Sequence, residues 1–344
     1  MSLLRVAVLA VALVPAQVAA EETQKPRPPI IDMHYHALSI DAYFLGTPPH
    51  PVCAPFRVFP AWDASKRGYP ALFAALGGGS GCETAVVSPM TSDAVRELAL
   101  ALLLKHTVFA VTGGGGHPGG RGRRAAPRRI IPALSFQMSN PTPLDVLRSL
   151  HAEGRIAVFG EVAIQYEGIR PDDARFAPYL ALAEELDVPV GIHIGTGPPG
   201  APHLFGPFRN YRGRMHSPLS LEDPLVRHPR LRIYVMHAGW PMLDDTLALL
   251  FTHPQVYLDV GVINWMLPRA EFHRYLRRIV EAGFGNRVMF GSDQMVWPET
   301  LELGIEAVAS ADFLSDAQKR DIFYGNAARF LRLSAAEIDR HHGR

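Results

Sequence analysis

Two histidines, His34 and His36, close an apolar run that begins at Pro29, and later apolar runs end in Glu161, His193, His237 and Asp293. Imidazole nitrogens and carboxylate oxygens are the donors a divalent ion of the zinc class takes, three or four at a time. Side chains alternate along a strand, so the histidines of a His-x-His pair lie on one face and suit one ion. Each residue alone has a plainer explanation: Glu161 as a helix cap, His193 or His237 as a core histidine, Asp293 as a turn residue. Jointly that explanation fails, because ionisable groups at the ends of apolar strands are costly to bury unless they hold a metal or one another. An ion with an open position brings water towards a pKa of ~7, and Asp293 is placed to take its proton. Hydrolysis of an ester, lactone or amide bond is the chemistry first expected.

Such donors must be gathered by elements far apart in the chain. Apolar, β-branched runs predict eight strands: the opening one through His34 and His36, then Thr84–Ser88, Ile130–Phe136, Ile156–Ile164, Pro189–Ile194, Leu231–Met236, Val256–Val262 and Arg287–Phe290. Helical spacing separates them over Asp93–His106, Leu144–Glu153, Asp172–Leu186, a short stretch ending near His228, Met242–Leu250 and Arg269–Glu281. Helices at Leu301–Ala309 and Ser315–Leu331 follow the last strand. Strands alternating with helices imply parallel βαβ units, and eight of them imply a single (β/α)8 TIM barrel over residues 29–333, with its active site at the C-terminal strand ends. Residues 334–344 are expected to be a polar tail.

Met1–Ala20 has a basic residue, an apolar stretch and a small-residue site before Glu21, the pattern of a cleavable signal peptide and too short to favour a membrane span. A periplasmic or secreted protein with no stable membrane span after cleavage is therefore expected. In an oxidising compartment Cys53 and Cys82 are permitted to pair, a matter the sequence leaves open. With 34 basic and 33 acidic side chains the chain lacks a nucleic-acid footprint. The expected partner is a small-molecule substrate, and a homo-oligomer is left open.

The segments Asp32-Met33-His34-Tyr35-His36, Ile192-His193, His237-Ala238-Gly239, Gly291-Ser292-Asp293 and Tyr324-Gly325-Asn326-Ala327-Ala328 resemble the amidohydrolase superfamily. The likeness is to the branch that includes aminocarboxymuconate semialdehyde decarboxylase and related lactonases. It implies one divalent ion, most simply zinc, on His34, His36, His193 and Asp293, with His237 as acid or electrophile. The Gly160-Glu161 context is similar to TatD-like nucleases and implies a second ion. A carboxylated lysine bridge is excluded, since Lys25, Lys66, Lys105 and Lys319 all lie off strand four, which leaves Glu161 as the only bridge. The same branch also implies an alternative, non-oxidative decarboxylation or hydration of a carboxylated ring, with Arg209, Arg212 and Arg214 as a carboxylate clamp. A non-catalytic zinc-binding protein is a third reading, disfavoured because Asp293, Glu161 and His237 exceed what four-coordinate binding needs. The Gly113–Gly120 loop and the arginines after it lack a phosphate-loop ending. Tyr166, Trp265 and Trp297 follow strand ends, where they suit either pocket or core.

Overall fold

The computed structural model describes residues 28–36, 92–112, 128–197, 210–294 and 298–344. Eight parallel strands run in chain order: β1 (Ile30–Tyr35), β2 (Val108–Thr112), β3 (Ile130–Leu134), β4 (Val158–Val162), β5 (Val190–His193), β6 (Ile233–Met236), β7 (Val256–Asp259) and β8 (Val288–Met289). β8 meets β1 through Met33 N–H to Phe290 O at 2.9 Å, Asp293 N–H to His34 O at 2.6 Å and His36 N–H to Gln294 O at 3.2 Å. The sheet thus returns on itself as a (β/α)8 barrel.

Strand periodicity divides the core in two. Ile31, Met33, Phe109, Val111, Val158, Tyr234, Met236 and Met289 pack together inside the barrel. Alternate residues such as Ile30, Val108, Phe159, Val190, Ile192, Ile233, Val235 and Leu258 pack outward against the helices. β1 and β4 break this rhythm. The β1–β2 register shifts between Asp32 and Tyr35, and the β4–β5 register between Phe159 and Val162. The outward residues accordingly change from Ile30 to Tyr35 and from Phe159 to Val162, from even to odd on one strand and from odd to even on the other. Each irregularity turns the last residues of its strand the other way, which aims His34, His36 and Glu161 inward.

One expected strand is corrected. β2 is Val108–Thr112, pairing Ile30 with Val108 and Ile31 with Phe109; Thr84–Ser88 lies outside the described residues. Both runs are apolar and flank the same helix (Ser92–Lys105), so periodicity cannot choose between them. Thr107 at φ 54° makes the sharp reversal that lets β2 follow that helix directly. Residues 334–344 are polar but not a loose tail: Ser334 and Glu337 form a reciprocal capping box on a helix, Ala335–His341. Ile338 packs on the interior cluster and His341 stacks on Phe109 with ring centroids 3.6 Å apart, so this helix covers the N-terminal mouth of the barrel. The expected signal peptide Met1–Ala20, Cys53, Cys82, Gly113–Gly120, Arg209 and Trp297 fall outside the described residues.

Candidate metal centre

All six sequence-predicted donors meet at the C-terminal end of the barrel. Glu161 stands at the middle. Its Oε2 lies 3.5 Å from His34 Nε2 and 3.4 Å from His36 Nε2, while its Oε1 lies 2.6 Å from His193 Nδ1 and 3.9 Å from His237 Nε2. Asp293 Oδ1 completes the first group, 3.3 Å from His34 Nε2 and 2.9 Å from His36 Nε2. His193 Nδ1 and His237 Nε2 are 3.1 Å apart in the second. Ligand atoms from His34, His36 and Glu161, from Glu161, His193 and His237, and from His34, His237 and Asp259 lie within 4.8 Å of one another in each group.

Those separations test the fit of an ion. Tetrahedral bonds of about 2.0–2.1 Å place neighbouring donors about 3.3 Å apart. The edges of the first group, 2.9–3.5 Å, cluster on that value, and those of the second, 2.6–3.9 Å, straddle it. Both nitrogens of His34 are buried without a hydrogen-bond partner, as expected of a side chain shaped for something else. Of the expected single set, His34, His36 and Asp293 fall in the first group, and His193 stands beside His237 in the second.

The strand ends are bent to achieve this. His237 (φ 58°), Val262 (φ 58°) and Asp293 (φ 50°) occupy left-handed backbone conformations that non-glycine residues rarely adopt, one after each of β6, β7 and β8. After β8, Asn264 Nδ2 donates to Gly291 O at 2.8 Å and Trp265 Nε1 to Ser292 O at 2.5 Å, so Trp265 is a buried tether. Asn326 donates to Val288 O at 2.6 Å and Gly285 O at 3.0 Å, giving that motif residue a structural task. Asp32 Oδ1 accepts from His34 N–H at 3.0 Å and Ser292 N–H at 2.9 Å, clamping the seam below the site. Burial pushes the Asp32 carboxyl up to about 7 against those hydrogen bonds.

Electrostatics are dominated by mutual pairing. Burial opposes the charged form of each group, yet Glu161 stays well below the usual carboxylate range beside His193, His34 and His36, and Asp293 is lowered by His34 and His36. The His36 ring is raised to about 9 by Asp293 and Glu161 despite its burial. His237 differs: burial and then neighbouring His193 bring it down to about 4. Its Nδ1 sits 3.0 Å from Gly261 O, which can only accept, so Nδ1 carries the proton and Nε2 presents a lone pair. That tautomer suits a ligand.

Asp259, at the end of β7, is a site residue the sequence reading missed. It is fully buried, 3.4 Å from His34 Nδ1, and accepts Gly261 N–H at 2.7 Å. Its signal is in the sequence, an acid ending an apolar strand, but the apolar run continues to Val262 and makes Asp259 read as interior. Tyr166 stands beside His193, its hydroxyl 3.4 Å from Nε2. Arg212 and Arg214 are exposed, with Arg212 donating to Tyr211 O at 2.6 Å.

A family model described as Amidohydrolase matches residues 121–333, more than half of the chain and six of the eight strand ends. The chain belongs to the amidohydrolase family. As an amidohydrolase it is an enzyme of a typically metal-dependent superfamily. A curated relative, Protein fluG of Emericella nidulans, is 23% identical over 133 residues, 34% of this chain and 15% of that protein. Among solved structures, a TIM-barrel protein of Bordetella bronchiseptica aligns with TM-score 0.55 at 17% identity, covering 92% of this amidohydrolase and 100% of the other chain. A probable 2-pyrone-4,6-dicarboxylic acid hydrolase of Acinetobacter baumannii gives 0.55 at 16%, covering 88% and 99%. The 5-carboxyvanillate decarboxylase of Sphingomonas paucimobilis gives 0.54 at 15%, covering 89% and 99%. These likenesses are to the fold.

Proposed function

We propose that this amidohydrolase is a metal-dependent hydrolase of an ester, lactone or amide in a small molecule, exported behind the leader Met1–Ala20. The observation that carries the reading is the division of Glu161, one oxygen toward His34 and His36 and the other toward His193 and His237. His34, His36 and Asp293 would hold one divalent ion, His193 and His237 a second, with Glu161 bridging. Nitrogen and carboxylate donors of this kind favour zinc. Ions held there supply Lewis-acid activation of water and polarisation of a carbonyl.

The chain's own residues supply the rest. Asp293 Oδ1 faces the two β1 histidines, leaving Oδ2 on the other side, 3.8 Å from His237 Nδ1, to take a proton from the attacking water and pass it to the leaving group. Burial of His34, His193, His237 and Asp293, with His36 and Glu161 partly buried, limits competition from bulk water and strengthens each charge interaction. The Tyr166 hydroxyl stands 3.4 Å from His193 Nε2, within reach of a group bound there.

Decarboxylation or hydration is the second reading, since the same donors serve it and decarboxylases are among the proteins that share this barrel. One experiment separates them. Purified protein is assayed for metal content, then offered lactones, esters and aromatic carboxylates in 18O-labelled water. Hydrolysis cleaves the bond with one label entering the product per turnover, and Asp293→Asn lowers kcat by about 10²–10⁴-fold; carbon dioxide release with no label in the organic product selects decarboxylation, and label gained with no bond cleaved selects hydration.

A further inference from the structure

Asp259 lies outside the two groups that Glu161 joins, yet its carboxylate comes within 4.8 Å of ligand atoms of His34 and His237, one in each half of the centre. Its Oδ1 accepts Gly261 N–H at 2.7 Å and faces His237 N–H at 3.5 Å. The Gly261 carbonyl in turn receives His237 Nδ1–H at 3.0 Å. Its Oδ2 faces His34 Nδ1 at 3.4 Å. Neither of these two atoms has a hydrogen-bond partner, and both are buried.

The space around this contact is cleared for it. A Cβ on Gly261 would stand 2.9 Å from Asp259 Oδ1 and 3.0 Å from His34 Nδ1. A Cβ on Gly291 would stand 2.9 Å from His34 Cβ and 3.0 Å from Asp259 Oδ1. Two missing side chains on neighbouring strand ends leave room for one carboxylate and one imidazole edge.

We infer that Asp259 is a positioning residue that sets which nitrogen of His34 and of His237 faces the ions, one histidine in each half of the centre. This rests on the metal reading proposed above. A carboxylate only accepts, so it requires a proton on His34 Nδ1 and leaves Nε2 as the donor atom toward Glu161 and Asp293. For His237 the same carboxylate acts through Gly261, holding the turn whose carbonyl keeps Nδ1 protonated.

Asp259→Asn tests this with almost no change in volume. Gly261 N–H requires an oxygen at the Oδ1 position, so the amide NH2 of asparagine is forced toward His34 Nδ1. Two donors then meet, and His34 must move its proton to Nε2, in the path of the ion. The measurement is the His34 Nδ1–H resonance of 15N-histidine-labelled, metal-free protein, assigned with His34→Gln, together with zinc affinity by chelator competition. The expected result is that the resonance, present in the wild type, disappears in Asp259→Asn and zinc binds about 10–100-fold more weakly. A retained resonance with unchanged affinity overturns the inference, as does a fall in melting temperature with affinity intact, which marks a merely structural residue. Should Asp259→Asn fail to fold, Gly261→Ala presses the same contact apart and is expected to weaken zinc comparably; unchanged affinity there overturns it too. A wild type that binds no divalent ion defeats the proposed function, while the metal-free resonance still judges Asp259.

Discussion

Glu161 is the residue on which the two halves of the centre depend, and its charge matters more than its volume. Glu161→Gln replaces one acceptor oxygen by a donor and removes the negative charge shared by four histidines. Measured by elemental analysis, metal content is expected to fall by about half, the His193 and His237 half emptying because it has no other carboxylate, and turnover to fall by about 10²-fold or more. The six donors were legible in the sequence because parallel strands are continuous apolar runs whose polar terminal residue stands out. Asp259 carries the same mark and was passed over because β7 ends three residues before its apolar run does. The proton position on His237 was beyond reach of the sequence, since it depends on a carbonyl 24 residues away.

Elements explain why such donors can face one point. Period-two reasoning places His34 and His36 together, but which face they share is decided by register shifts in β1 and β4 that leave no trace in residue type. β2 was misplaced for a related reason, two apolar runs competing to pair with β1. At β5 the barrel interior leaves no spare volume: a Cβ on Gly191 would overlap the Tyr234 ring, whose hydroxyl crosses to Met33 O at 3.1 Å. Gly191→Ala is expected to destabilise the protein by about 1–3 kcal/mol, read from its urea midpoint. The C-terminal helix carries a pH dependence. His341, against Phe109 and 3.0 Å from Tyr324 Oη, is brought down to about 4 by burial and then by Arg340. A depressed histidine stabilises the fold as the neutral ring, fully above its unfolded value near 6.5 and progressively less as pH falls toward 4. The melting temperature is expected to drop between pH 6.5 and 5 by more in the wild type than in His341→Phe; equal slopes would remove this helix from the account.

For the whole molecule, ion binding and stability are one equilibrium. Donors with opposed lone pairs and charges gain more from an ion than from one another, so stripping metal with a chelator is expected to lower the melting temperature. At about a thousandfold excess of free ion over Kd the difference is about 4 kcal/mol, roughly 6 °C for a chain this long, and added zinc should restore it. The barrel itself was readable as a whole because its alternation of strand and helix repeats often enough that one misplaced strand leaves the architecture intact. The seam clamp has a bearing on synthesis. Asp32 reaches Ser292 across 260 positions of sequence. At about 5–20 residues per second a ribosome needs roughly 13–50 s to make that stretch, and throughout it His34 and His36 exist while Asp293 does not. A growing chain can hold an ion only loosely, so firm capture waits for the last strand, and an occupied centre certifies a finished barrel.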